Sequence, residues 1–270
     1  MKYYYDKEEL SYLLKTIFKY FVELSGNPFA SSLLKSMTSS RISRPLIQPF
    51  STIYRINENE MEHPIHHYNT LQEFFTRRLK PNVRPINQSP NTIVSPVDGI
   101  LSDMGKISSD QSFYIKNRLY TVKEVLGDDR KAADYVDGYF FILYLSPSHY
   151  HRVHYPINGE VAFRYALGEK SYPVNHLGTL FGDKPFSTNY RLISELSTCF
   201  GKIALVKIGA LNINSIHLLH SSTNFKKGEE LGYFSFGSTV MLFIEKNPRF
   251  KPTTVINSEV HMGQPIGEWT

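Results

Sequence analysis

The chain has 270 residues, 41% of them hydrophobic, which is enough to bury the core of one large domain. Its single cysteine, Cys199, excludes an intrachain disulfide and a paired-cysteine zinc site, and it favours a reducing cytoplasmic compartment over a secreted scaffold. A formal net charge of +5 and a pI near 9.0 suit an anionic partner: a membrane surface, a nucleic acid or an acidic substrate.

The N-terminal segment predicts a strongly amphipathic helix. Residues 8–25 place apolar side chains at helical spacing, with Lys15 and Lys19 on another face. The apolar positions are Leu10, Leu13, Leu14, Ile17, Phe18, Phe21 and Leu24. Between residues 11 and 55 the chain carries six basic residues and one acid, Glu23. Two interpretations are open: helices that pack on the core, and an interfacial helix pair on anionic lipid.

Two further helices are predicted before the chain changes character. One begins after Pro28, and another begins at Asn69, where Gln72 stands three residues on in a capping-box arrangement. No segment reaches the roughly 18 uncharged apolar residues that a membrane-spanning helix needs, and no secretory signal pattern is present. We therefore expect a soluble or peripheral protein.

The pattern changes at a proline-rich link near residues 81–96. This link predicts a boundary between a helical region, residues 1–90, and a β-rich body, residues 91–270. In the second part short apolar runs are punctuated by Gly, Pro and Asn, which is typical of strands joined by turns. We expect an α+β fold with an antiparallel β-rich body and N-terminal amphipathic helices.

One predicted strand carries an unusual interruption. The stretch "ELGYFSFGSTVMLF", residues 230–243, has the residue pattern of a single strand, yet Gly237, Ser238 and Thr239 stand in its middle. Glycine there costs order and contributes no packing, so a β-bulge or a tight bend is the ordinary interpretation.

Two other polar clusters interrupt the β texture. Asp98 precedes a glycine in "SPVDGI", which alone suggests a turn. His149, His151 and His154 follow one another closely in "LSPSHYHRVHYP". A metal centre built on them would need a nearby acid, and Glu160 lies too far along the chain, so we expect no metal.

An acid, an imidazole and a hydroxyl from separate segments can form a proton relay. Here the members would be Asp98, His154 and Ser238. Ordinary serine hydrolases place the nucleophile on an exposed elbow such as GxSxG, whereas Ser238 lies inside a predicted strand. A serine in that setting has a nearby target in the carbonyl that precedes it.

The chain resembles the phosphatidylserine decarboxylase proenzymes of the bacterial membrane-associated type. The resemblance rests on five segments that occur in the family's order. They are "YNTLQEFFTRRLKPNVRPI", "SPVDGI", "YLSPSHYHRVHYP", "YPVNHL" and "KKGEELGYFSFGSTV". Family members commonly carry Leu-Gly-Ser-Thr at the last of these, so Phe236 is a departure that keeps an apolar side chain.

The resemblance implies that the glycine-serine pair is a self-cleavage site. Ser238 attacks the carbonyl of Gly237, an N-to-O acyl shift gives an ester, and elimination splits the chain into residues 1–237 and 238–270. The new N-terminus of the small chain becomes a pyruvoyl group. That pyruvate cofactor forms a Schiff base with the substrate amine and accepts the electrons left by carbon dioxide.

The resemblance also implies roles for the other polar residues. Asp98 and His154 assist Ser238 in self-cleavage, and His151 serves decarboxylation, as the donor of the proton that replaces carbon dioxide.

The substrate and the remaining expectations follow from the same resemblance. The enzyme would convert phosphatidylserine to phosphatidylethanolamine at the cytoplasmic face of the cell membrane, as a peripheral homodimer of cleaved protomers. Residues that either shape the head-group pocket or satisfy a loop are Asn175, His176, Asn189 and Arg191.

Three rival functions are weighed against this one. A pyruvoyl decarboxylase for a soluble amino acid would not need the basic amphipathic N-terminus. A non-catalytic module that binds anionic lipid would keep the fold and remain uncut at Gly237. A nucleic-acid module is disfavoured because no standard nucleic-acid fold signature appears.

Overall fold

The computed structural model describes residues 28–115, 117–170, 172, 184–209, 216–219, 222–235 and 238–270. The predicted helix at residues 8–25 lies outside these ranges, as do Asn175, His176 and Gly237. The predicted α+β class is confirmed, because strands dominate and every pairing between named strands is antiparallel.

Helices occupy the beginning of the described chain. The predicted second helix is confirmed as Pro28–Ser39. It is followed by a 3-10 helix, Arg41–Leu46, and an α-helix, Ile47–Tyr54. Short 3-10 turns at Glu58–Glu60 and Ile65–His67 lead to the helix Leu71–Phe75.

The start of this last helix differs from the predicted capping box: the N-cap lies one residue later, and the carboxylate of the third helical residue bonds to the residue before the cap. The N-cap is Thr70, whose hydroxyl accepts from the Glu73 backbone N–H at 3.1 Å, while the Glu73 carboxylate accepts from the Asn69 N–H at 2.8 Å. The Leu71 N–H donates to Ser43 Oγ, 28 residues away along the chain. A tertiary partner therefore satisfies one of the free N–H groups at this helix start.

An eight-stranded antiparallel sheet forms the centre of the body. Its strands are β2 (Gly99–Lys106), β5 (Tyr139–Leu145), β7 (Gly159–Leu167), β8 (Arg191–Thr198), β9 (Gly201–Gly209), β11 (Asn224–Phe225), β13 (Ser238–Ile244) and β15 (Glu259–Val260). Their order across the sheet is β11-β7-β8-β9-β13-β5-β2-β15.

Within the described part of the body, three smaller sheets and three short helices accompany the central sheet. One sheet joins β1 (Thr92–Val94), β16 (Pro265–Trp269) and β14 (Phe250–Pro252). A second joins β10 (Ile216–Leu218), β12 (Glu230–Phe234) and β6 (Arg152–His154), and a hairpin joins β3 (Ser112–Ile115) to β4 (Arg118–Thr121). The helices are Val122–Leu126, Asp129–Ala133 and Pro185–Thr188.

The central strands are buried on both faces. On β13, Val240 and Leu242 enter one apolar cluster, and Met241 and Phe243 enter another on the opposite face. This arrangement explains why β5, with the sequence YFFILYL, is apolar without alternation. A third cluster, formed by residues 47–75, belongs to the helices.

The predicted single strand at residues 230–243 is two strands. β12 ends at Phe234 in the three-stranded sheet, and β13 begins at Ser238 in the eight-stranded sheet. The chain therefore changes sheets across the glycine-serine pair, so the interruption is more than a bulge within one strand.

No helix within the described ranges combines the length and apolar character that crossing a bilayer requires.

Candidate active site

Asp98 lies at the turn between β1 and β2, beside the histidine segment. Directly after the turn β2 runs close to β5, because a Cβ on Gly99 would stand 2.8 Å from the carbonyl oxygen of Tyr144. The His154 backbone N–H donates to the carbonyl of Pro96 at 2.8 Å. The two segments that the sequence singled out are therefore neighbours in space.

The Asp98 carboxylate is buried and fully engaged. Arg84 donates to it through Nε at 3.0 and 2.9 Å and through Nη2 at 2.7 Å, and the Met262 N–H donates to Oδ1 at 2.8 Å. His261 Nδ1 stands 3.7 Å from Oδ2. Burial alone would raise the pKa of Asp98, but His261 and Arg84 together hold it at about 2. Asp98 is therefore an anion at neutral pH.

His154 is held by a carbonyl on one side and a phenol on the other. Its Nδ1 is 2.8 Å from the carbonyl oxygen of Gly228, and its Nε2 is 3.3 Å from Tyr150 Oη. Because a carbonyl can only accept, Nδ1 carries the proton, and Nε2 is the basic nitrogen of the neutral ring. Burial is the main reason that the pKa of His154 is lowered.

His151 is fully buried, with one nitrogen in use. Its Nε2 donates to the carbonyl of Ser146 at 3.0 Å, and its ring stacks on Phe75 with centroids 3.9 Å apart. Within the described ranges its Nδ1 has no hydrogen-bond partner. Burial and then the charge of Arg77 hold the pKa of His151 well below its ordinary value. The ring is therefore neutral, with a bare Nδ1.

Ser238 opens β13 between two neighbouring strands. Its backbone pairs with Leu145 of β5 and Gly209 of β9. Its Oγ is buried, and neither this atom nor Thr239 Oγ1 has a hydrogen-bond partner in the part of the chain that the structure describes.

The structure brings the predicted residues into one region without joining them by hydrogen bonds. Within the described ranges, Asp98 bonds to neither His154 nor Ser238, and His154 bonds to Tyr150 and Gly228. Burial has the largest effect on the pKa of His154, and the Gly228 carbonyl, Glu230 and, more weakly, Asp98 oppose it. The three-residue relay stays a prediction.

His149, the third histidine of the cluster, has separate partners. Its Nδ1 accepts from the Ser146 N–H at 2.9 Å, and its Nε2 lies 3.6 Å from Glu259 Oε1. In the ranges described above, no group of three His, Cys, Asp or Glu side chains is arranged to hold a metal ion.

The head-group candidates Asn189 and Arg191 have backbone partners. Asn189 Nδ2 donates to the carbonyls of Tyr172 and Gly209, at 2.7 and 3.1 Å. The Arg191 guanidinium donates to the carbonyls of Val125, Glu124 and Asn189. These contacts support the alternative in which both residues satisfy loops.

A cavity of about 360 Å³ adjoins the acid. Its lining includes Asp98, Arg84, His149, Tyr150 and His261. The Glu60 carboxylate also lines it and accepts from Arg84 Nη2 at 2.8 Å, so Arg84 lies between two acids.

Four residues of this region were not predicted from the sequence: Arg77, Arg84, Tyr150 and His261. The first two lie within "YNTLQEFFTRRLKPNVRPI" and Tyr150 lies between two of the histidines, so these segments did contain a signal. His261 belongs to no segment that carried the resemblance, and only the fold brings it to Asp98.

Comparison with known proteins gives a consistent result. The family model described as phosphatidylserine decarboxylase matches residues 71–268. A protein of Halalkalibacterium halodurans is 49% identical over 94% of this chain and 98% of its own length. Proteins of Anoxybacillus flavithermus and Geobacillus kaustophilus are 47% and 46% identical, each over 94% of this chain and 97% of their own length. All three are named phosphatidylserine decarboxylase proenzyme.

Proposed function

The chain belongs to the phosphatidylserine decarboxylase family and is an enzyme, and from this premise we propose that it cleaves itself before Ser238 and then decarboxylates phosphatidylserine at a membrane surface. The single observation that carries the proposal is Ser238 itself. A buried hydroxyl without a partner costs roughly 1–3 kcal/mol, so its retention at the start of a core strand suggests a chemical use.

The proposed cleavage needs only groups of the chain and one water. Ser238 Oγ bonds to the carbonyl carbon of Gly237 as the peptide C–N bond breaks, giving an ester and a free amine. Loss of the Cα proton expels the Gly237 carboxylate and leaves dehydroalanine. Water then replaces the nitrogen, ammonia departs, and a pyruvoyl group remains at position 238.

His154 is the proposed base for the first step. Its Nδ1 donates to Gly228, so Nε2 is the nitrogen that can take the proton of Ser238. The Tyr150 hydroxyl now faces Nε2, and this contact has to open first. The ionised Asp98 supports the proton transfer through its charge.

A pyruvoyl group at position 238 fits the surroundings, since this position is fully buried and lies between the paired strands β5 and β9. When formed, it supplies the carbonyl that accepts the electron pair left by carbon dioxide. His151 is the proposed proton carrier for this stage. Its Nε2 is committed to Ser146, so the bare Nδ1 is the nitrogen that takes a proton from the substrate ammonium and later returns it to the carbon that has lost carbon dioxide.

The membrane part of the proposal is supported by an apolar and basic surface of the helical region. Leu33 and Ile42 are 64% and 80% exposed, and Arg41 and Arg44 flank Ile42. Exposed apolar side chains beside cations suit an anionic bilayer, where burial and charge act together. We propose that the protein acts there as a peripheral homodimer on the cytoplasmic face.

Intact-protein mass spectrometry of the purified chain tests the cleavage. We expect two chains, residues 1–237 and 238–270, the smaller blocked to N-terminal sequencing and carrying a pyruvoyl mass. Ser238→Ala should remain one uncut chain of about 31.1 kDa. Cleavage of that variant at the same bond would contradict the assignment of Ser238.

Release of carbon dioxide from phosphatidylserine vesicles and from free serine tests the substrate. Activity on vesicles alone supports the proposal, and activity on serine favours the soluble-substrate rival. An uncut chain that binds anionic vesicles without releasing carbon dioxide is the lipid-binding module. His154→Ala should slow or stop cleavage, whereas His151→Ala should be cleaved and lose turnover.

A further inference from the structure

Three consecutive residues of the helical region hold the histidine segment of the body. Arg77 Nη2 donates to the carbonyls of Ser148 and His149, at 2.8 and 3.2 Å. The Thr76 carbonyl accepts from Arg152 Nε at 3.1 Å. Phe75 stacks on the ring of His151. We call residues 75–77 the clamp.

The clamp is itself firmly anchored. Phe75 ends the helix Leu71–Phe75, and Thr76 Oγ1 donates back to the carbonyl of Gln72 at 3.0 Å. The Phe75 ring is buried and also meets Phe50 edge to face, with centroids 6.3 Å apart. It therefore lies between the helical core and the imidazole of His151.

The stack supplies a constraint that the hydrogen bond of His151 does not. A single bond from Nε2 to the Ser146 carbonyl fixes one point of the ring and only partly restrains its rotation about the Cβ–Cγ bond. An aromatic face at 3.9 Å, tilted by only 26°, removes most of that freedom. The direction in which Nδ1 points is therefore set by Phe75.

We propose that Phe75 is a positioning residue for decarboxylation, which holds the His151 ring so that Nδ1 faces the substrate. This inference rests on the proposed function, because it needs His151 to move a proton during turnover. It implies that the helical region controls the geometry of an imidazole in the β-rich body. Self-cleavage, which we assign to Ser238 and His154, does not require Phe75.

The test uses the full chain with Phe75→Leu, which keeps apolar bulk and removes the ring. We expect complete cleavage, KM for phosphatidylserine vesicles within about twofold of wild type, and kcat lowered about 10-fold, because misplaced groups are costly even at small displacements. Phe75→Tyr, which keeps the ring, should recover most of kcat. The matched control is Phe50→Leu, which is equally buried, touches Phe75 and leaves the stack on His151 in place.

The pH dependence of kcat gives a second measurement. Arg77, His149 and Asp98 are the charged and titratable groups that act on His151. An aromatic face favours an adjacent cation, so loss of the ring lowers the pKa of His151 further. The ring must be neutral to take up a proton at Nδ1, so the acid limb of kcat should move to lower pH in Phe75→Leu and stay in place in Phe50→Leu.

Two results would overturn the inference. One is a Phe75→Leu enzyme with the kcat and pH profile of wild type. The other is an equal fall of kcat in Phe50→Leu, which would assign the effect to general packing. If wild type does not decarboxylate phosphatidylserine, the proposed function fails instead.

A measurement on the precursor covers variants that fold or cleave poorly. In Ser238→Ala, ¹⁵N NMR should show a single His151 tautomer protonated at Nε2. Adding Phe75→Leu, or Phe75→Met if that fails to fold, should give a mixed or exchanging signal. An unchanged signal in both would also overturn the inference.

Discussion

The acid side and the serine side of the candidate site are built in opposite ways. Around Asp98, each carboxylate oxygen accepts hydrogen bonds, and the cation that donates to them has a second acid, Glu60. Around Ser238, two hydroxyls and the Nδ1 of His151 are buried without a partner within the described ranges.

This difference separates what the fold stabilises from what it leaves available for chemistry. A buried polar atom without a partner destabilises a protein, whereas a buried carboxylate with three donors is well compensated. The Asp98–Arg84 pair is thus an ordinary, satisfied ion pair, although His261 Nδ1 beside it has no hydrogen-bond partner within the described ranges. Ser238, Thr239 and His151 depart from the rule that buried polar groups are bonded. Such departures are typical of sites where a reaction supplies the missing partner.

The largest effect should come from breaking the acid side. Arg84→Met leaves Asp98 buried and Glu60 nearby without their shared cation, and removing one partner of a buried pair costs roughly 3–5 kcal/mol. Denaturant unfolding of this variant in the uncut Ser238→Ala background measures the loss. The control is Arg78→Met. The Arg78 side chain is 55% exposed, and its Nη2 lies as far as 4.0 Å from Glu230 Oε2, so we expect this variant to lose under about 0.5 kcal/mol of unfolding free energy. Equal losses in the two variants would contradict the comparison.

A smaller effect should appear in acid. Because the pKa of Asp98 is about 2 in the folded chain and near 3.8 in the unfolded one, the unfolded chain binds more protons between these values. The stability that Asp98 contributes is complete above pH 4 and is lost as the pH falls towards 2. The advantage of Asp98 over Asp98→Asn should therefore shrink by about 2 kcal/mol across that window. Parallel stability curves for the two proteins, measured in Ser238→Ala, would show that Asp98 is not held as described.

The smallest effect belongs to the serine side and has the opposite sign. Thr239→Val replaces a buried hydroxyl that has no partner within the described ranges by a methyl group. The free energy of unfolding of the uncut Ser238→Ala chain should therefore rise by about 1 kcal/mol. Thr92→Val is the control, because Thr92 Oγ1 donates to Asn87 Oδ1 at 2.8 Å. Thr92→Val should therefore lower the free energy of unfolding by about 1 kcal/mol. Thermal unfolding compares the two, and a loss in Thr239→Val would mean that its hydroxyl is satisfied after all.

Local patterns in the sequence predicted much of the fold. The unbroken apolar run of β5 and the helix after Pro28 depend on burial and spacing within one short segment. The change from one sheet to another after Phe234 was not predicted, because residues 230–243 show the same apolar strand pattern whichever sheet each half joins. Only the partners, β6 for one strand and β5 for the other, distinguish them.

The candidate site shows the same limit. Asp98, Ser238 and the closely spaced histidines stood out as polar groups that interrupt the β pattern, and the family resemblance supplied their roles. Their partners could not be predicted, since the Gly228 carbonyl and the Met262 N–H are backbone groups that any residue provides. Phe75 likewise looks like one more core aromatic until the structure places it against an imidazole.

The position of β13 has a consequence for how the protein behaves once it is cut. This strand lies in the middle of the largest sheet, paired along its length with β5 and β9. Cleavage before Ser238 would make that strand part of a separate polypeptide, held in place without a covalent link. Refolding would then need two chains to meet, and it would slow on dilution, whereas the uncut precursor would refold at a rate independent of concentration. The lifetime of the active enzyme would accordingly be set by how slowly it unfolds, since two separated chains would have to meet again before the site could re-form.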